Sequence, residues 1–370
     1  KKIIFFFISM LIFSFQTSSD EIEIDASNID VKESGNLIFA ENTIFKIPVE
    51  KITIKSKKAE YQKLKNIIVL INDVYLEDEN NNLIIQSQKL TYDRDKQLFF
   101  SEGETKINLE NKYILKSRDL YFDRNLQTVY GSNDVIVEDY DKNFYKLKDN
   151  FKFDNLKKIA KSKKGYALDN NDNKYIYEDL IIDFKNKKII GKEIKVEFEK
   201  SYFGNKNNDP ILKGRGSYSD KDELKIYKTV FSTCNINNKK CRGWEVQTDE
   251  FKHDKNKKIF EYKNSWLKIF DYKVFYLPYF NHPDPTVKRK SGFLTPSYTS
   301  SDNFGTSVNI PYYKILSVDK DITFNPKFYA DKSFLLQNEY RQALSNSKIL
   351  SDFSFLVGDA GTKGHLLFNQ

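Results

Sequence analysis

One pattern recurs through the first half of the chain and restricts its fold more than any other feature. Leu90-x-Tyr92-Asp93, Leu120-x-Phe122-Asp123, Phe151-x-Phe153-Asp154 and Leu180-x-Ile182-Asp183 share one layout, with the aspartates 30, 31 and 29 residues apart. Ala59-x-Tyr61-Gln62 is a weaker first copy. Apolar residues two apart lie on one face of a strand. A period near thirty, with about three short strands per unit, predicts stacked β-structure, because a single unit cannot bury its own apolar face. The aspartate after each apolar pair is predicted to start a turn. The face carrying Tyr92, Phe122, Phe153 and Ile182 reads either as ordinary core or as a groove for long apolar ligands, and periodicity does not separate the two. A lysine cluster at 157, 158, 161, 163 and 164 reads as a solvated, edge-protecting face, with contact to a phosphorylated ligand as the alternative.

Thirty Phe and 23 Tyr exclude a disordered chain. No apolar run is long enough for an ordinary transmembrane helix. The net charge of +8 is spread along the chain and marks no nucleic-acid face. Lys1 and Lys2 precede the apolar run Ile3 to Phe15 and then Thr17, Ser18 and Ser19, the layout of a secretory signal peptide over residues 1–19. An uncleaved N-terminal anchor is the alternative. The end of the sequence reads as mid-strand, so the chain is expected to continue beyond residue 370. In an exported chain, Cys234 and Cys241 favour a disulfide, either with each other or with cysteines beyond residue 370. With three His in all and none beside these thiols, no metal site is expected.

The texture changes after Trp244. Aromatics thicken, and six of the eight prolines lie between 278 and 326. Beyond residue 306, apolar and polar residues alternate in segments separated by turns about 13–15 residues apart. That spacing suits tilted membrane strands of about 9–11 residues plus a turn, apolar outside and polar inside. A soluble β-sandwich is the competing fold.

One stretch is specific enough to name a family. Val274 to Phe280, Pro283, Lys288-Arg289-Lys290-Ser291-Gly292-Phe293-Leu294-Thr295-Pro296 and Pro311-Tyr312-Tyr313 resemble the LptD family of lipopolysaccharide-assembly outer-membrane proteins. Asp321-Ile322-Thr323-Phe324-Asn325-Pro326 and Glu339-Tyr340-Arg341 continue the match in order. The repeats look more loosely like that family's periplasmic β-jellyroll, a fold shared with LptA. The resemblance implies an all-β chain: signal peptide 1–19, jellyroll 20–230, and the first strands of a transmembrane antiparallel barrel over 231–370. It implies lipopolysaccharide as ligand, an LptA-like bridge and an LptE-like plug lipoprotein as partners, and a place in the outer membrane among its lipids. No cofactor, nucleic acid or catalysis is implied. Acyl chains would lie in the jellyroll groove, and Pro278 and Pro283 would weaken the strand seam at a lateral gate. The family often has a further proline where Lys273 stands, and its domain-linking disulfides use a cysteine near the mature N-terminus, where this sequence has none. A soluble LptA-like carrier, a stacked-β polysaccharide lyase or hydrolase, and a porin-like channel are the competing functions.

Overall fold

The computed structural model describes residues 22–169, 172–199, 210–232, 243–294, 296–301, 305–330, 333–358 and 361–369. The expected signal peptide at 1–19 and both cysteines, Cys234 and Cys241, lie outside them. The described chain is all-β apart from two short 3-10 turns, and it divides into two compact units, Lys1–Asn281 and His282–Gln370.

In the first unit the long strands from Leu37 onward pair antiparallel, each with the next. The series runs Leu37–Ile47, Ile52–Gln62, Ile67–Asp78, Leu83–Asp93 and Leu98–Leu109, and continues in the same way to Trp244–Asp254 and Ile259–Ile269. Near residues 113–154 the strands break in two, so that Leu98–Leu109 pairs with both Tyr113–Arg118 and Tyr121–Asp123. Each repeat is therefore two long strands, where the sequence suggested three short ones. The boundary expected at 230/231 falls inside the strand Glu223–Ser232, which pairs on both sides within this sheet.

These strands are bent at their centres. An eleven-residue strand such as Leu37–Ile47 would span roughly 35 Å if straight. Left-handed backbone recurs instead at Asn42, Asn72 and Gly103, and again at Asp119, Asp149 and Asp179. Asn, Asp and Gly are the residues that best tolerate positive φ. The ladder slips at the same level, between Lys55 and Lys58, Ile71 and Val74, and Ser87 and Lys89. Such bulges bend a strand and free backbone groups from pairing. Buried hydroxyls take up freed carbonyls there: Ser56 donates to the Lys58 carbonyl at 2.9 Å, Ser87 to Lys89 at 3.1 Å and Thr105 to Gly103 at 3.0 Å. The bent sheet encloses one apolar core from Phe45 to Tyr262.

The second unit is an antiparallel eight-stranded sheet. Its longest members, Lys320–Tyr329, Phe334–Ala343, Lys348–Gly358 and Gly361–Asn369, pair in sequence order.

Candidate functional site

The repeat aspartates do start turns. Asp93, Asp123, Asp154 and Asp183 each accept the backbone N–H three residues on, at 2.9–3.1 Å. Asp254 does the same with Lys257 at 2.9 Å, which exposes a further copy, Phe251-x-His253-Asp254, not recognised in the sequence because His253 takes the second apolar position. The apolar residues of the pattern all point inward. Tyr92, Phe122, Phe153 and Ile182 are at most 2% exposed and share the core with Leu90, Leu120, Phe151 and Leu180. Tyr92 meets Phe99 at 4.3 Å between ring centres, Phe99 meets Phe122 at 6.3 Å, and Tyr113 meets Phe153 at 5.5 Å, so aromatic packing runs across successive repeats. The structure thus places the four candidates in a long, closed apolar interior. Ile182 alone of the four also lines a cleft, of about 420 Å³, together with Tyr113, Tyr145, Phe184 and Ile189.

A buried ionic cluster lies at one end of this interior. Arg124 donates to Asp78 at 2.7 Å and to Glu50 at 2.6 Å, and Arg94 donates twice to Glu50, at 3.0 and 2.8 Å. Arg94 also reaches the Asn66 side chain at 3.1 Å, and the Tyr92 hydroxyl donates to Glu50. The Asp78 side chain is fully buried and those of Arg94, Arg124 and Glu50 are at most 13% exposed. Burial, helped by the bond to Glu50, pushes the Tyr92 hydroxyl far above its usual pKa. For Arg124 burial pulls the other way, but its bond to Asp78 and the charges around it outweigh that and raise its pKa. Four opposite charges with their hydrogen bonds filled are tolerable in a core, whereas loss of one would strand the rest. Nothing in the repeat pattern announced this cluster, because its charged members come from four separate turns and strand ends.

The candidate gate prolines lie on the strand Tyr272–Pro283, Pro278 within it and Pro283 at its end. Neither can donate a ladder hydrogen bond. That strand exposes Tyr272, Val274, Phe275, Tyr276 and Tyr279, while Phe280 stacks on Tyr262 at 4.3 Å. In the lysine cluster, Lys158 is drawn into an ion pair with Glu110 at 2.6 Å; Lys157, Lys161, Lys163 and Lys164 are exposed.

Within the second unit the motif segments converge. Asp321 accepts from Arg289 at 2.6 Å, Arg341 at 2.7 Å and the Tyr313 hydroxyl at 3.1 Å, and Arg289 also donates to that hydroxyl at 3.0 Å. One residue comes from each motif around 289, 313, 321 and 341, so these stretches hold a common polar cluster. Its sheet buries polar side chains, Ser307, Asp321, Thr323 and Asn338, and exposes Phe328, Phe355, Val357, Leu366 and Phe368.

Residues 4–114 match the family model described as lipopolysaccharide-assembly, LptC-related. Among curated proteins, the LPS-assembly protein LptD of Pseudoalteromonas translucida is 35% identical over 116 residues, covering 31% of this chain and 15% of that protein. LptD of Shewanella frigidimarina is 32% identical over 138 residues, and LptD of Nitrosococcus oceani is 32% identical over 142, covering 35% and 38% of this chain. Each of these two matches spans 18% of the relative's own length. Over these stretches the chain is similar to lipopolysaccharide-assembly proteins of the LptC-related and LptD families.

Proposed function

We propose that this protein carries lipopolysaccharide across the Gram-negative envelope and delivers it to the outer leaflet of the outer membrane. The observation that carries the reading is the unbroken apolar interior of the first unit, lined by Tyr92, Phe122, Phe153 and Ile182. An interior one repeat after another long suits extended acyl chains, and burying them is favourable by about 0.8 kcal/mol per methylene. The bent sheet must part for such chains to enter, because the present core is closed. The protein acts as a passive conduit, with no catalysis assigned to it, and the energy for uphill movement comes from elsewhere.

The second unit supports the membrane half of the reading. A sheet that hides its polar side chains and exposes its aromatic and aliphatic ones matches a wall facing lipid outside and a polar lumen inside. In this reading the described strands belong to a larger barrel, plugged by an LptE-like lipoprotein. Pro278 and Pro283 can donate no ladder hydrogen bond from the strand Tyr272–Pro283, which would weaken a seam there as a lateral gate requires. An LptA-like bridge protein would hand lipopolysaccharide to the first unit in the periplasm.

Photo-crosslinking residues placed singly at Phe122, Phe153 and Ile182, in cells making the full-length protein, test the interior. Lipopolysaccharide adducts at these positions are the expected result. No adduct at any of them, with normal expression and a working control protein, would return the face to structural core and remove the transport reading.

A further inference from the structure

Successive strands of the first unit run in opposite directions, so alternate turns fall at opposite ends of the sheet. The turns at 48–51, 79–82, 110–112 and 139–143 make one row, and those at 94–97, 124–127, 155–158 and 184–187 make the other. Backbone bonds tie neighbours within a row. Glu79 donates to Lys51 and Glu110 to Asn82 in the first; Arg124 donates to Gln97, Asn155 to Gln127 and Phe184 to Lys158 in the second. The central bends fold the sheet until the two rows meet. Among the described residues, the ion pairs across the meeting line have their acids in the first row, or in Asp78 at the strand end just before its 79–82 turn, and their bases in the second. Glu50 pairs with Arg94 and Arg124, Asp78 with Arg124, Glu110 with Lys158, and Asp141 with Lys187.

The rungs differ in burial along the line. Side-chain exposure is 6% and 13% for Arg94 and Glu50, 17% and 30% for Lys158 and Glu110, and 62% and 45% for Lys187 and Asp141. Exposed pairs hold weakly and buried pairs are costly to break. The line is therefore weakest at Asp141–Lys187. That is also where the cleft opens: Asp139 and Asp141 form one wall, Asp183 and Lys187 the other, and its floor reaches Ile182 and Phe184 of the apolar interior.

We propose that this line is an entry seam whose basic row, Arg94, Arg124, Lys158 and Lys187, is the binding rim for the phosphates of a phosphorylated acylated lipid, with the facing carboxylates as stand-ins until that lipid arrives. The proposal rests on the transport reading and names the site through which it operates. A phosphate offers guanidinium and ammonium groups the same charge-assisted bonds that a carboxylate does. Exchange of partners therefore leaves no cation unpaired, while the acyl chains pass between the rows into the interior. Opening starts at the cleft and proceeds toward the Glu50 cluster, because each rung in that direction is better buried.

The test uses the full-length protein with paired cysteines at Asp141 and Lys187, and separately at Glu110 and Lys158, each carrying the photo-crosslinking residue at Phe153. Oxidation should cut lipid adducts at Phe153 at least tenfold, and reduction should restore them. Unchanged adducts in the oxidised proteins would overturn the seam while leaving the transport reading intact. Absence of adducts even in the reduced proteins would instead remove the transport reading. The rim is tested by spin labels across the seam at positions 140 and 186. Bis-phosphorylated lipid A should widen their separation, whereas dephosphorylated lipid A and inorganic phosphate alone should not. Equal widening by dephosphorylated lipid A would overturn the phosphate role, and widening by inorganic phosphate alone would assign the row to a free-anion site. The exchange Glu110→Lys with Lys158→Glu keeps the rung and moves the cation to the other row. Undiminished response to bis-phosphorylated lipid A in that folded variant would also count against the rim.

Discussion

At the residue scale, the aspartates that close each repeat link pH to stability. In Asp93, Asp154 and Asp183, burial raises the carboxyl pKa, but bonds from the following turn and the nearby Lys96, Lys157 or Lys188 outweigh it, so each ends lower than usual. In Asp254 the Lys257 backbone N–H is the largest influence and acts in the lowering direction. A carboxyl depressed in the folded chain stabilises it above the unfolded value and loses that contribution as pH falls through the folded value. The first unit is therefore expected to hold its stability at neutral pH and to weaken below the ordinary aspartate value of 3.8. Both tryptophans, Trp244 and Trp266, lie in this unit, so urea unfolding followed by their fluorescence reports on it. Asp183→Ala should lower its stability by about 0.5–1.5 kcal/mol at pH 7, the worth of a net hydrogen bond. The difference from the parent protein should shrink in acid. A difference that stayed constant down to pH 3 would show that Asp183 acts by packing, with no part played by its charge.

At the element scale, the bend in each strand is the feature on which the enclosed interior depends. Asn72 sits in the middle of Ile67–Asp78 with φ of 64°. A β-branched side chain there meets the following carbonyl and costs roughly 1–2 kcal/mol, whereas glycine does not. Asn72→Val should thus destabilise the first unit by about that amount, and Asn72→Gly should fall within a few tenths of the parent protein. Equal loss in both variants would place the effect in the side chain of Asn72 and take it away from the backbone bend. The repeat itself was legible in the sequence, since Leu120-x-Phe122-Asp123 and its relatives carry both the inward face and the turn. The bend was not. Asn42 and Asn72 look like turn residues in the sequence, and only the paired ladder reveals that the strand continues through them. The ionic seam escaped for a related reason: Glu50 and Arg124 are 74 residues apart, and only the folding of the sheet brings them together.

At the scale of the whole molecule, the two units distribute their apolar side chains in opposite ways over the same kind of element. The first hides Phe and Leu and turns Lys and Asp outward, as a sheet in water does. In the second, Ser307, Asp321 and Thr323 are buried on one face of the sheet, and Phe355, Val357, Leu366 and Phe368 are exposed on the other. Exposed apolar side chains in a contiguous band mark a surface that water does not normally cover. The buried charges of this unit are not left alone, since Asp321 is shared by Arg289 and Arg341. A polar interior held by such bonds and an apolar exterior are the two requirements of a strand wall in lipid. The consequence can be read site by site. In the full-length protein in phospholipid vesicles, nitroxides at Phe355 and Leu366 should relax faster with oxygen, which partitions into lipid. Nitroxides at Thr323 and Ser307, on the opposite face, should respond to a water-soluble nickel chelate. Faster relaxation by nickel at Phe355 and Leu366 would place that face in water, and the second unit would then be a soluble sheet with an uncovered apolar side.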